Sequence, residues 1–174
     1  MPLSEEMLFA RLDALSIAYA TREHRAVFTV AESMDLRGEI PGAHTKNLLL
    51  KDKKGALFLV TAEELSTVDL KNLHKALGCG RLSFASAERL MQHLGVTPGS
   101  VTALAIAGDT DGAVTFVLDR RIVESETVNC HPLRNTATTS LASADLVRFA
   151  RACGHEPVII DVENPLASAI SSPE

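Results

Sequence analysis

The chain has 174 residues, enough for one domain that buries roughly 70% of the surface its unfolded form exposes. Hydrophobic residues make up 46%, yet there are only six Phe, one Tyr and no Trp, so the core is aliphatic and aromatic stacking platforms for single-stranded bases are not expected. The net charge of -5 excludes a protein that coats nucleic acid over its whole surface, while leaving room for a local basic patch.

In chain order, Ser4 is placed to cap an amphipathic helix over 4–17, in which Leu8, Leu12 and Leu15 recur at helical spacing. A short strand follows over Tyr19 to His24. Thr29 with Glu32 forms a capping box that opens a short helix through Met34. The segment 35–44, with Gly38, Pro41 and Gly42, reads as a loop. Two apolar runs, 45–51 and 56–60, joined by DKKG, predict an antiparallel hairpin. Asp69 and Ser86 predict caps of helices that end at Gly78 and Gly95. VTALAIA (101–107) and AVTFVL (113–118), separated by GDTDG, read as a second hairpin. Strand-like sequence resumes at Thr127 to Asn129, and Ser143 predicts the cap of a helix through Cys153. VIIDV is a last strand before a flexible tail over 164–174. This mixed order favours a single α+β domain over 1–163, with a mixed, largely antiparallel sheet and flanking helices.

Chemistry is concentrated in a few places. Along a strand the side chains alternate, so Lys46, Leu48 and Leu50 share one face while Asn47, Leu49 and Lys51 share the other. A lysine at the mouth of an apolar face either snorkels to water or offers a fixed charge to a phosphate or carbonyl oxygen. Lys46, Lys51, Lys53 and Lys54, with Arg81 further along, form the densest basic group in the chain. That group suits nucleic-acid backbone or, equally, a solvated hairpin tip with Asp52 as partner. Cys130 and His131 are adjacent on an extended segment, so they face opposite ways and do not form a thiol–imidazole dyad. His131 stands either as a binding group or as a loop cap. The two carboxylates of GDTDG, Asp109 and Asp111, serve a turn more readily than a metal. Cys79, Cys130 and Cys153 are widely spaced without a CxxC, so neither a disulfide framework nor a zinc site is expected, and the chain reads as cytoplasmic. The start MPLSEEMLFARL is acidic where a signal peptide is basic, and no apolar run approaches the ~20 residues of a membrane span.

Taken together, VFTVAES (27–33), HTKNLLLKDKKG (44–55), GVTPGSVTAL (95–104), NCHPLRNTATTSL (129–141) and GHEPVIID (154–161) resemble the YbaK/prolyl-tRNA synthetase-associated domain family. Within it, the closest pattern is that of the freestanding ProX-type deacylases (PrdX, ProXp-ala). The resemblance implies a compact editing-domain fold. It also implies an activity, metal-independent and without cofactor: hydrolysis of the ester of mischarged proline tRNA, chiefly its alanyl form. Lys46 matches the family's essential lysine, Asn47 its neighbour, and His131 the histidine of an N-x-H-P segment. Gly95, Val96, Thr97 and Pro98 match a G-x-x-x-P-like loop with the proline one position early, and Ala103 stands where many relatives carry proline. Around the aminoacyl pocket the resemblance suggests Val27, Phe28, Val30 and Met34, and on the tRNA acceptor end Lys51, Lys53, Lys54 and Arg81. The synthetase is a second expected partner. Two other readings use the same residues: a non-catalytic module that binds tRNA or the synthetase, and a deacylase for cysteinyl or seryl esters.

Overall fold

The computed structural model describes residues 3–26, 34 and 40–170, with backbone alone for 168–170. Helix α1 (Glu5–Ala14) starts where the Ser4 side chain accepts a hydrogen bond from the Met7 N–H, and it buries Leu8 and Leu12. Asp69 and Ser86 likewise accept from Asn72 and Arg89 to cap α2 (Leu70–Leu77) and α3 (Ala87–Leu94). Both helices end at a left-handed glycine, Gly78 and Gly95.

Eight strands make one mixed sheet: β1 (Tyr19–Glu23), β2 (Ala43–Lys51), β3 (Leu57–Glu63), β4 (Ser83–Phe84), β5 (Val114–Asp119), β6 (Thr127–Cys130), β7 (Ala137–Ala142) and β8 (Val158–Ile160). Their order is β1-β7-β6-β2-β3-β5-β8, with β4 also paired to β2. The pairs β1/β7, β6/β7, β2/β3 and β2/β4 are antiparallel; β2/β6, β3/β5 and β5/β8 are parallel.

The sheet carries a core on each face. The larger one joins Leu49, Leu57, Leu59, Phe116 and Leu118 to α1, α3, α4 (Arg120–Glu124) and α5 (Ser143–Ala152). The smaller one joins Leu50, Phe58, Val60, Ala62 and Val117 to Leu73 of α2. Period-two alternation in β2 and β3 produces this division directly, because successive side chains feed opposite cores.

The expected hairpin of β2 and β3 is present, closed by Asp52. Its buried carboxylate accepts from the N–H groups of Lys54, Ala56 and Gly80, tying the turn to the loop before β4. Burial by itself would raise this carboxyl, but the three donors outweigh burial and hold it below the ordinary aspartate value.

The second expected hairpin is not formed. β3 takes one edge of β5 and β8 pairs with Val117–Asp119 on the other, in place of VTALAIA. Ala103–Gly108 instead winds as a 3-10 turn in which Ala103 to Ala107 are all buried. Ser143 is the first residue inside α5 rather than its cap; Ala142 takes that position and makes no side-chain cap. Strand β7, within the polar stretch LRNTATTSL, was not legible as a strand, because its partners β1 and β6 also carry polar side chains. The stretch read as a flexible tail contains a terminal helix, α6 (Pro165–Ile170), that begins on a proline and lies against α2 and β8. The capping box at Thr29 and Glu32 lies outside the described residues.

Asp109 fixes the link between the 3-10 turn and β5. Its carboxylate accepts from the N–H groups of Ala113 (3.1 Å) and Val114 (2.8 Å) and from His155 Nε2 (2.9 Å), all in the interior. Asp111, two residues on, is exposed. Asp109→Ala should therefore cost about 3 kcal/mol or more in urea unfolding, since it strands two amides and a buried imidazole. Asp111→Ala should stay within about 0.5 kcal/mol of the parent.

Candidate functional site

One edge of β2 is shared by two strands that do not meet. β6 stands opposite Ala43 and His44, β4 opposite Leu50 and Lys51, and β3 occupies the other edge throughout. Among the described residues no strand pairs with this edge between Thr45 and Leu49, which leaves a slot in the sheet. At its margins the Thr45 hydroxyl donates to the Asn129 carbonyl, and the Ala85 N–H donates to the Leu49 carbonyl. Since alternate residues point their backbone groups to the same edge, Asn47 presents its N–H and C=O to the slot.

Lys46 stands opposite Ala62, a member of the smaller core, and so projects on that core's face. Asn129 stands opposite His44 on the face of Lys46, so by alternation His131, just past the end of β6, projects on that face too. No residue of β1, β6 or β7 belongs to the smaller core. This half of the face is polar: Thr138 and Ser140 of β7, Asn129 of β6 and His24 after β1 share it with Lys46 and His131.

Lys46 Nζ donates to the Ser66 carbonyl, which draws the side chain toward the loop after β3. Ser66 in turn leans on Asp119, whose carboxylate also accepts from the Glu63 N–H. His131 Nδ1 lies 3.2 Å from the Ala137 carbonyl, and because a carbonyl only accepts, Nδ1 carries the proton. In the neutral ring Nε2 is then left as an acceptor. Burial disfavours the imidazolium and pushes His131 below the ordinary histidine value; Ala137 and Glu64 pull the other way and His24 adds to the depression.

The loop that carries His131 is braced by a residue that sequence reasoning passed over. Arg134 donates to Glu5 of α1 at 2.9 Å and to Glu23 of β1 at 2.8 Å, which holds its guanidinium proton tighter than usual. Leu133 adopts φ 70° next to it. At the other end Asn129 donates to the carbonyls of Pro41 and Ala43, and Gly42 lies against Thr127. Gly42 has φ 107°, and an added Cβ would come within 3.0 Å of the Thr127 Cβ. The available signal for this layer was the density of polar residues in TATTS.

The remaining expected residues are spread out. Asn47 faces the larger core, where its Oδ1 accepts from the Thr61 hydroxyl at 2.6 Å, so only its backbone meets the slot. Ala103 is wholly enclosed in that core and Val96 nearly so. Gly95 lines a cavity of about 390 Å³ with Met7, Arg11 and Asp111 on the same side, while Thr97 and Pro98 are exposed. Met34 has helical backbone and is 51% exposed; Val27, Phe28 and Val30 lie outside the described residues. Lys53 and Lys54 are exposed on the β2–β3 turn, with Lys51 and Arg81 beside β4. Lys51 lies about 17 Å along β2 from Lys46 and on the opposite face. Cys130 is buried and its thiol is pushed up to about 12 by burial, which removes it as a nucleophile. Among the described residues no group of three His, Cys, Asp or Glu side chains is placed to hold a metal ion, and no helix is long and apolar enough to cross a membrane.

The family model for the aminoacyl-tRNA editing domain matches residues 24–149, a span that includes both Lys46 and His131. The prolyl-tRNA synthetase associated domain-containing protein 1 of Danio rerio is 40% identical over 154 residues, covering 87% of this chain and 84% of that one. The prolyl-tRNA editing protein ProX of Acetoanaerobium sticklandii is 35% identical over 153 residues, covering 87% and 93%. A solved structure described as a candidate trans-editing enzyme for prolyl tRNA synthetase superposes with a TM-score of 0.71 at 19% identity, covering 93% of this chain and 98% of its own. On the span of the model match and on the identity of these relatives, the chain belongs to the aminoacyl-tRNA editing domain family.

Proposed function

We propose that the protein is a trans-acting deacylase that hydrolyses the ester of mischarged proline tRNA, with the alanyl ester as its main substrate. The observation that supports this reading is that Lys46 and His131 project on the same face of the sheet, in its polar half, at the rim of a slot lined by strand backbone.

An aminoacyl ester is already activated, so a positioned water and a stabilised oxyanion suffice for its hydrolysis. Water adds to the carbonyl carbon, the bond to the terminal ribose oxygen breaks, and that oxygen leaves with a proton, releasing alanine and free tRNA. The Lys46 ammonium is held where it can meet the developing oxyanion or the terminal phosphate. Neutral His131 offers Nε2 to a ribose hydroxyl or to the water, and the Asn47 backbone offers a donor and an acceptor to the aminoacyl group. Selection against proline rests on size: Val27, Phe28, Val30 and Met34 are proposed to shape a pocket that clashes with the pyrrolidine ring, since attraction of one methyl contributes only ~1 to 3 kcal/mol. Val96 and Ala103 act on that pocket indirectly, through the larger core, while Gly95, Thr97 and Pro98 are assigned to it by the resemblance alone. Lys51, Lys53, Lys54 and Arg81 would grip the acceptor stem, and delivery of tRNA by prolyl-tRNA synthetase fits a freestanding editor.

With alanyl-tRNA of the proline isoacceptor, Lys46→Ala should lower kcat/KM by about 100-fold or more, the effect of losing one oxyanion-stabilising donor. A parent protein that binds this tRNA without releasing alanine would replace the deacylase reading with that of a binding module. Cysteinyl and seryl esters on the same tRNA should turn over more slowly.

The acid limb of the kcat/KM profile should lie below pH 6.5, because His131 stays neutral until the pH reaches its depressed value. The sign for stability is the same. The unfolded chain takes up this proton first, so the contribution of neutral His131 is complete above about pH 6.5 and is lost as the pH falls through the folded value. His131→Asn should remove the limb, and proton NMR of the ring resonances should titrate in the same window.

A further inference from the structure

Phe84 is 63% exposed, and among the described residues it is the one Phe or Tyr ring that joins neither hydrophobic core. A ring so placed is normally withdrawn from water, since full burial of Phe contributes about 1.5 to 3 kcal/mol. Its backbone is nonetheless well held. β4 places Phe84 opposite Leu50 and Ser83 opposite Lys51, and the next residue donates its N–H to the Leu49 carbonyl.

Residues that stand opposite one another across a strand pair share a face, so Phe84 projects with Leu50, Leu48 and Lys46. It marks the β4 margin of the slot, and His131 marks the β6 margin. Phe84 lies about 13 Å from Lys46 along β2, with half-buried Leu48 as the floor between them. Arg81 lies three residues before it and Lys53 and Lys54 follow on the β2–β3 turn, while Lys51, opposite Ser83, projects on the other face, all in a chain of net charge -5.

Resting on the deacylase reading, we propose that Phe84 is the stacking platform for an unpaired base near the 3′ end of the RNA. The terminal ribose and its ester would lie at Lys46 and His131, a base a short way back along the strand would lie on the ring, and the phosphates beyond would meet the lysines. An exposed aromatic among cations is what a base with a charged backbone requires, since every base has a π-face and stacking tolerates any sequence. The proposal runs against the expectation from composition, since one exposed ring at the rim of the site is enough for a single base.

The chain contains no Trp, so Phe84→Trp introduces a single fluorophore at the proposed contact. Titration of this variant with an uncharged RNA hairpin bearing a four-nucleotide single-stranded 3′ end should quench its emission, and the same hairpin made blunt should not. By anisotropy with the overhang hairpin, Phe84→Ala should bind about ten-fold more weakly than the parent, Phe84→Leu should not recover the loss, and Phe84→Tyr should. Equal quenching by the blunt hairpin, or an unchanged affinity in Phe84→Ala, overturns the proposal. If Phe84→Leu recovers the affinity, the contact is apolar packing rather than stacking and the proposal also fails. Alanine release by the parent protein is measured separately, so that a failure of the stacking contact with turnover intact leaves the deacylase reading standing, and absent turnover with RNA stacking intact overturns only the latter reading.

Discussion

β2 changes partners along one edge, and the rest of the site follows from that change. β6 runs parallel to its first two residues and β4 runs antiparallel to its last two, so among the described residues the middle of the strand has a neighbour on one side only. A strand in the interior of a sheet normally spends both sets of backbone groups on its neighbours. Here one set is left available over a few residues, in the middle of an otherwise satisfied sheet. Such a place suits a polar ligand, because the donors and acceptors are held by the ladder on either side and need no reorganisation to meet it.

The polarity of that place is made tolerable by the two aliphatic cores. Leu59 and Leu118 on one face, and Leu50, Val60 and Val117 on the other, are wholly buried within the same strands that carry the site. β3 and β5 thus give β2 a rigid flank, while β1, β6 and β7 carry hydroxyl, amide and imidazole groups on their second face. Groups on that face have defined partners: His24 with Thr138, and Asn129 with Ser140. A network satisfied in this way can remain polar without the penalty that falls on an unpaired buried group. It also fixes the tautomer of His131, since the Ala137 carbonyl accepts only one kind of bond.

Much of this was legible in the residues, for identifiable reasons. Ser4, Asp69 and Ser86 announced their helices because a side-chain cap is a local event, decided within four residues. The β2–β3 hairpin was legible because Asp52 and Gly55 close the turn locally. VTALAIA was misread because the same apolar run serves a strand or a buried turn, and the choice was made by β8, a strand forty residues downstream that occupies the edge of β5. β7 escaped notice because its polar residues face other polar strands rather than water. Its alternation is a property of the sheet rather than of the segment. The same limit applies to the site. Alternation assigned Lys46 and Lys51 to opposite faces, but the neighbour of Lys46 across the sheet depends on the register of β6, which no local signal sets.

Lys46 and Asn47 are adjacent in sequence and share no face. Lys46 sends its side chain to the polar half of the smaller core's face, where Ser66 and His131 lie; Asn47 sends its side chain into the larger core, to Thr61. What Asn47 contributes to the slot is its peptide group, which any residue would supply, and what its side chain contributes is a hydrogen bond between β2 and β3 just behind Lys46. The Asn47 amide is thus tied into the strand pair, a short polar group that reaches Thr61 where the neighbours on that face are Leu49 and Leu59. The Lys46 ammonium has a different setting, on the polar half of the other face, where it meets the Ser66 carbonyl. Two neighbouring residues of one motif are thus held by two different constraints, and only the alternation of the strand separates them.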